Sequence, residues 1–351
     1  GQSISSIIQR AAESAAITKD EIVFLLQSDK DSDQELFLMA DRVRRHSVGN
    51  EVHLRGLIEF SNFCQRQCLY CGLRKGNCCL ARYRMTAEEI YSCALDAWKL
   101  GYRTVVLQSG EDDHFDAESI AKIVFDIKAL GIAVTLSCGE RPYEEYQLWR
   151  DAGADRYLLK HEAAIPTLYS KLHPGADFNN RVRCLYDLRR LGYQVGSGCM
   201  VGLPWQGLEE LAEDLLFMQG LDVEMAGIGP FIPHPQTPLA RCPGGTVDIT
   251  LKMVALARLM MPWTHLPATT ALETIDGDGR QKALRVGANV VMPNLTPKRY
   301  QNLYEIYPDK ANPLDDLQGY RRYISGVIAS MGRRVAVSQG HSLKSQFMSQ
   351  V

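Results

Sequence analysis

Residues 104–137 read TVVLQSGEDDHFDAESIAKIVFDIKALGIAVTLS, and this stretch decides the fold. Its ends, Thr104–Gln108 and Ile132–Ser137, are short apolar runs without polar alternation, so each is expected to be a strand buried on both faces. Between them Ala117–Leu130 carries apolar residues at helical spacing. Gly131 follows, at the position after a helix where positive φ is needed. Strand, helix and strand joined in this way form the repeating unit of a parallel sheet.

The same rhythm extends outward in both directions. Eight apolar runs can be read: His53–Phe60, Thr104–Gln108, Ile132–Ser137, Arg156–Leu159, Gln194–Met200, Glu224–Ile228, Pro267–Ala271 and Asn289–Met292. The helical patterns Ala87–Leu100, Tyr143–Ala152, Asn179–Leu191, Leu208–Gln219 and Leu251–Met260 lie between them, with Gly101, Gly153 and Gly192 just after three of these. Eight such units predict an α/β chain forming a complete (β/α)8 TIM-type barrel. An open doubly wound sheet fits less well, because no glycine fingerprint follows the first strand. Residues up to 49 read as helices, with Asp20–Leu26 and Gln34–Val43 at helical spacing and Ser32 as an N-cap. After Thr296 the chain turns irregular, then helical from about Asp315 to Met331. The expected organisation is an N-terminal helical extension over 1–49, the barrel over 50–296, and a C-terminal segment over 297–351 packing on it.

Composition narrows the function classes. The chain has 351 residues, 46% hydrophobic and 23% charged, which argues against disorder, collagen and coiled coil. With 41 acidic and 39 basic side chains the net charge is −2, so no nucleic-acid or membrane-surface partner is expected. No apolar run approaches the roughly 18 residues of a spanning helix. Gly1-Gln2-Ser3 lacks the charged and apolar character of a signal sequence, and Gly1 in place of Met reads as a processed end; a soluble, cytoplasmic protein is expected. Three of the ten cysteines cluster as Cys64-x3-Cys68-x2-Cys71, and in a reducing compartment such a cluster is metal-binding or catalytic.

Functional groups of a parallel barrel gather at the carboxyl ends of its strands. The sequence places them there: Ser61-Asn62-Phe63-Cys64, Gln108-Ser109-Gly110-Glu111-Asp112, Ser137-Cys138-Gly139-Glu140, Lys160-His161-Glu162, Gly198-Cys199-Met200, Gly229-Pro230-Phe231, Thr269-Thr270 and Met292-Pro293-Asn294. Polar and small residues at one end of apolar strands are how an active-site mouth reads.

Three thiolates within eight residues can grip one face of an iron–sulfur cluster and leave one iron without a protein ligand. An open coordination position is what a catalytic metal site requires. The other reading is a structural zinc site with His53 or Cys79 as fourth ligand, although zinc ligands usually come as two short doublets. The spacing, with Tyr70 just before the last cysteine, resembles the signature of radical S-adenosylmethionine (SAM) enzymes. The resemblance implies a [4Fe–4S] cluster on Cys64, Cys68 and Cys71, whose open iron chelates SAM and whose electron releases a 5′-deoxyadenosyl radical. It also implies that Gly110, Glu111 and Asp112 match the element that binds the SAM amino group. Glu162 suits SAM hydroxyls or amine and Arg181 its carboxylate, though each taken singly is more often a rim salt bridge. Tyr70, Ser137, Met200 and Ile228 are expected beside the cofactor, against a plain reading of Met200 as core packing. Gly196, Gly198 and Gly202 either admit the cofactor or relieve crowding in a strand.

The longer strings Cys64–Arg74, Val106–Asp112, Ala154–Leu159, Gly227–Pro235 and Gly287–Asn294 resemble the [FeFe]-hydrogenase maturase family HydE over about residues 48–310. Biotin synthase and methylornithine synthase are more distant relatives. The resemblance implies radical chemistry on a cysteine-bound iron carbonyl–cyanide species during diiron subcluster assembly, an external electron donor, and the maturases HydF and HydG as partners. It implies that Arg55, Gln108, Lys160, Thr269, Thr270 and Tyr307 line a cavity for an anionic small-molecule or organometallic substrate. Arg55, inside the first strand, needs a partner, either that anion or a glutamate on a helix. Three features depart from the family pattern. Lys310–Tyr320 lacks the cysteines of a second cluster, so one cluster is expected. Lys160 replaces an arginine, keeping charge but losing the bidentate fork, and Leu272-Glu273 adds a carboxylate beside Thr269-Thr270. Cys78 and Cys79 are read as incidental. Cys93, Cys138, Cys184, Cys199 and Cys242 are read as small buried hydrophobes. Against the HydE-type reading stand a biotin-synthase-like or methylornithine-synthase-like enzyme acting on an amino acid, and a noncatalytic metal-binding scaffold.

Overall fold

The structure, a computed structural model, describes residues 3–309 and 316–350. Three helices come first: α1 (Ile4–Ser14), α2 (Lys19–Leu26) and α3 (Lys30–Val48). Thr18 and Glu21 close a capping box at α2. At α3 the cap is Asp29 rather than the expected Ser32: its carboxylate accepts the Ser32 amide, so Ser32 lies in the first turn.

Nine strands follow among the described residues: β1 (Glu51–Leu54), β2 (Gly56–Ser61), β3 (Thr104–Ser109), β4 (Ala133–Ser137), β5 (Arg156–Leu158), β6 (Gln194–Val201), β7 (Met225–Pro230), β8 (Val290–Val291) and β9 (Arg334–Val335). β2 to β7 form a six-stranded parallel sheet in chain order, the arrangement of a TIM-like partial barrel. Its strands are almost wholly buried because helices cover the outer face: α4 (Ala87–Lys99), α5 (Ala117–Lys128), α6 (Tyr143–Ala152), α7 (Pro166–Leu172), α8 (Phe178–Arg190), α9 (Leu208–Leu221) and α10 (Val247–Met260). Gly101, Gly131, Gly153 and Gly192 all have positive φ, as their places after helices required.

Two of the eight expected runs are built differently. His53–Phe60 is split at Arg55: β1 pairs with β8 and β9 in a small parallel sheet, whereas β2 pairs with β3. The ladder toward β8 continues through the break, with the Arg55 amide on the Val291 carbonyl, so what changes at Arg55 is the neighbour on the other side. Pro267–Ala271 is not a strand. His265 and Pro267 make single parallel bridges to Met225 and Val290, and Thr269 already caps the helix α11 (Thr270–Ile275) by accepting the Leu272 amide. Proline has no amide to extend the ladder, and the cap at Thr269 turns the chain away two residues later. α12 (Gly279–Arg285), α13 (Lys298–Gln301) and α14 (Leu317–Ser330) complete the fold. The expected helix start at Asp315 and most of the Lys310–Tyr320 stretch lie outside the described residues. Among the described residues no helix is long and apolar enough to cross a membrane.

Candidate active site at the carboxyl ends of the strands

From β2 the chain enters an irregular loop carrying Cys64, Cys68 and Cys71, all half-buried free thiols. The loop is fastened to its surroundings by backbone bonds: the Gln65 amide to the Glu111 carbonyl, Leu69 to Leu172, and Gly72 to Ile306. The half-buried Arg82 guanidinium holds it from beneath. It donates to the carbonyls of Asn62 (2.6 Å), Leu73 (2.7 Å), Arg74 (2.8 Å) and Asn77 (3.2 Å). Bonds to a charged donor of this kind are worth roughly 2 kcal/mol each before solvent screening. Arg82→Met should therefore lower the iron retained per chain severalfold and lower the melting temperature of the cluster-free protein as well. Wild-type iron content in that variant would show that the loop needs no clamp.

Burial pushes the three thiols above their ordinary range, Cys68 to about 12, and Cys71 also feels the charge of the other two. Their mutual repulsion places them in one neighbourhood. Yet among the described residues no three His, Cys, Asp or Glu side chains are gathered around a point that could hold a single metal ion. His53, a candidate fourth zinc ligand, lies in β1 against the His265 ring, and Cys79 is exposed.

Next to the loop stands Gly110, where a side-chain carbon would lie 2.2 Å from the Phe63 carbonyl oxygen and 2.8 Å from Cys64 Cβ. Glu111 reaches over it into a ring of alternating charge. Its Oε2 accepts from Arg66 Nε at 2.5 Å, and its Oε1 accepts from the Glu140 amide at 3.0 Å and lies 3.4 Å from Arg181. Glu140 closes the ring, 3.1 Å from Arg181 and 3.4 Å from Arg66. Arg181 also donates from Nε to the Lys160 carbonyl at 2.8 Å. Two guanidinium groups and two carboxylates so neutralise one another at a half-buried rim. Sequence reasoning singled out Glu111 and Arg181 but not Arg66 or Glu140, although Arg66 lies inside the cysteine motif and Glu140 at a strand end. Asp112 is turned elsewhere: it accepts from Ser61 Oγ, from the His114 amide and, bidentately, from Arg84, whose guanidinium lies over the Phe63 ring.

Glu162 is half-buried, with its Oε2 sealed from solvent. Desolvation raises its carboxyl above the ordinary range, its charge is felt by Tyr70, Cys68 and Cys71, and its Oε2 has no hydrogen-bond partner. Tyr70 places its hydroxyl 2.7 Å from His173 Nε2, a residue the sequence reading passed over. Met200 packs with Tyr70 and Leu69 in a small apolar cluster beside the loop, Ile228 is buried in the main core, and Ser137 ends β4 opposite Gln108. Lys160 stretches along β6 and β7, 3.2 Å from where Gly198 would carry a Cβ and 3.6 Å from that of Gly227. Those two glycines make room for the lysine stem.

The substrate-lining set is only partly assembled. Gln108 donates to the Tyr304 hydroxyl at 3.3 Å, Thr269 lies 3.0 Å from the Cβ position of Gly229, and Tyr307 is half-buried nearby with Thr274 as partner. Thr270 opens α11. The added carboxylate of Glu273 is 2.8 Å from Arg280, so it is already neutralised. Arg55 stands apart at the amino ends of the strands. It is 1% exposed, donates to Met225 Sδ (2.9 Å) and the Gly340 carbonyl (3.1 Å), and among the described residues has neither glutamate nor helix as partner. Burial and neighbouring Arg156 hold its pKa well below the ordinary range.

The donor set fits a cluster bound by three thiolates with one iron left for a small ligand. Three soft thiols lie within each other's electrostatic reach on one loop, and a buried carboxylate oxygen close by lacks a partner.

Comparison with known proteins gives the family. A family model described as the Radical SAM superfamily matches residues 58–218. The [FeFe] hydrogenase maturase subunit HydE of Thermotoga maritima is 51% identical over 310 residues, 88% of this chain and 88% of that protein. The 3-methylornithine synthase of Methanosarcina barkeri is 30% identical over 299 residues, 83% of each. The crystal structure of methylornithine synthase (PylB) is similar with a TM-score of 0.82 at 26% identity, over 95% of this chain and 97% of that one.

Proposed function

The chain belongs to the radical SAM superfamily as a homologue of HydE, and from that premise we propose that it acts on an anionic organometallic substrate in assembling the diiron subcluster of [FeFe]-hydrogenase. The family works with a [4Fe–4S] cluster and SAM, which together supply a 5′-deoxyadenosyl radical. Cys64, Cys68 and Cys71 would hold the cluster. Glu162 and Arg181, with Gly110, Glu111, Tyr70, Ser137, Met200 and Ile228, would hold and enclose SAM. The observation that carries the reading is the unpartnered Glu162 oxygen, buried beside the thiols: a carboxylate held there without a partner is built for a ligand's donors. Asp112, whose oxygens are taken by Arg84, Ser61 and the His114 amide, would serve by fixing Gly110-Glu111 in place.

Lys160, Gln108, Thr269, Thr270 and Tyr307 would bind a cysteine-bound iron carbonyl–cyanide species, with Lys160 as its counter-charge. Arg55 would close the cavity floor. HydG and HydF, an external electron donor and a cytoplasmic setting belong to this reading, as does the division at 1–49, 50–296 and 297–351. So does a complete eight-membered barrel, supported by the Met225–His265, Pro267–Val290 and Leu57–Asn294 bridges that continue the ladder from β7 through β8 to β2. The likeness to methylornithine synthase over nearly the whole chain supports a second reading, an amino-acid substrate in the same cavity.

One anaerobic experiment tests the proposal. The protein is reconstituted with iron and sulfide, reduced and given SAM, while the electron paramagnetic resonance (EPR) spectrum and 5′-deoxyadenosine are followed. A [4Fe–4S]⁺ signal that changes on adding SAM, with deoxyadenosine formed, is the expected result. A cluster blind to SAM would overturn it in favour of a metal-binding scaffold.

A further inference from the structure

Backbone strain and burial coincide at Glu162. The Ala163 amide donates across it to the His161 carbonyl at 2.8 Å, and its φ is +66°. A three-residue turn with positive φ at its centre is the rare, strained γ-turn, and such strain persists only where neighbours over-determine it.

The neighbours that do so are Asp214 on α9, Ser197 on β6 and His161 itself. Asp214 Oδ1 accepts the Ala164 amide at 2.9 Å and lies 2.9 Å from His161 Nε2. On the far side of the ring, Nδ1 is 2.9 Å from Ser197 Oγ, which also accepts the His161 amide at 3.0 Å. One carboxylate oxygen thus ties both flanks of the turn, one directly and one through the imidazole. The three side chains are 0% to 3% exposed, so this Ser–His–Asp array meets no substrate and acts only through the chain. The Glu162 amide on the Gly198 carbonyl at 3.1 Å fixes the register.

We propose that Asp214, with His161 and Ser197, is a positioning set that holds the turn presenting Glu162 and so sets the affinity for SAM. The inference rests on Glu162 being a SAM ligand. Its test uses the full chain and two readouts: hydrogen exchange at residues 163–164 in cluster-free protein, and SAM titration followed by the EPR change of the reduced cluster. Asp214→Ala should speed exchange and weaken SAM binding roughly ten- to hundredfold, the usual range for groups that orient a ligand from behind, with iron per chain unchanged. Asp214→Asn keeps an oxygen acceptor at the same place and should restore both readouts. Faster exchange with unchanged affinity would overturn the proposal, and so would equal loss in the Asn and Ala variants. If Asp214→Ala does not fold, Ser197→Ala removes the other tether with little change in volume, and wild-type SAM affinity there overturns the proposal. Glu162→Gln separates the two claims. Wild-type affinity in that variant sinks Glu162 as ligand, whereas weak binding there beside wild-type affinity in Asp214→Ala sinks only the positioning role.

Discussion

Cys68→Ala should abolish SAM cleavage and leave the fold intact. The thiol is half-buried and belongs to neither of the two apolar clusters, so its loss removes little packing; the cluster-free variant should stay within roughly 0.5 kcal/mol of the parent. Burial raises its pKa to about 12, so in the cluster-free chain it is a neutral thiol and carries no ion pair whose loss would destabilise the protein. A cluster held by two thiolates in place of three exposes a second iron, and the open position ceases to be unique. The expected record is an unchanged melting curve for the cluster-free protein, iron per chain well below the parent's, and deoxyadenosine at background. Deoxyadenosine formed at the parental rate would remove Cys68 from the cluster and, with it, the catalytic reading of the loop.

What could be read from the sequence follows from the range over which each signal acts. Periodicity is local, and α4, α5, α6, α8 and α9 therefore stand within two residues of their expected bounds. The glycines after helices were legible for the same reason, because positive φ is a demand made by a single position. The cysteine loop was legible because its three ligands share eight residues. Pro267–Ala271 failed as a strand although it is apolar: a proline and a threonine cap are stronger local instructions than hydrophobicity, and they were outweighed in the count of eight runs. Pairings between distant loops carry no spacing signal. The Arg66–Glu111–Arg181–Glu140 ring draws on three loops and helix α8, and His161 meets Asp214 from 53 residues away. The fate of Arg55 shows the same limit in another form. Strand alternation can say that a side chain faces inward, but the Gly340 carbonyl that meets it arrives from the far end of the chain.

Gly110→Ala should empty the site with a smaller effect on the fold. Gly110 fits under the cysteine loop because it has no Cβ: one added there would lie 2.2 Å from the Phe63 carbonyl oxygen and 2.8 Å from Cys64 Cβ, both far inside contact distance. The obstacles are backbone and the root of a ligand, not a flexible side-chain tip that could swing away. Relief must come from moving the Phe63–Cys64 peptide, and Cys64 moves with it. Overpacking of this kind costs about 1–3 kcal/mol in stability. The geometric effect is larger, since three thiolates must meet one rigid cluster and a shift of the first by an ångström leaves two. Gly131→Ala is the matched control. Its φ of +82° strains any side chain, yet nothing lies within 4 Å of the new carbon. That variant should lose roughly 1 kcal/mol of stability and keep its iron. Gly110→Ala should lose most of its iron for a stability change of the same order. The ratio of iron lost to stability lost is therefore the quantity to measure, by metal analysis and thermal melting on the two proteins side by side. Equal iron in both variants would mean that the loop yields freely at Phe63, and that the tight seat of Cys64 on Gly110 plays no part in forming the cluster site.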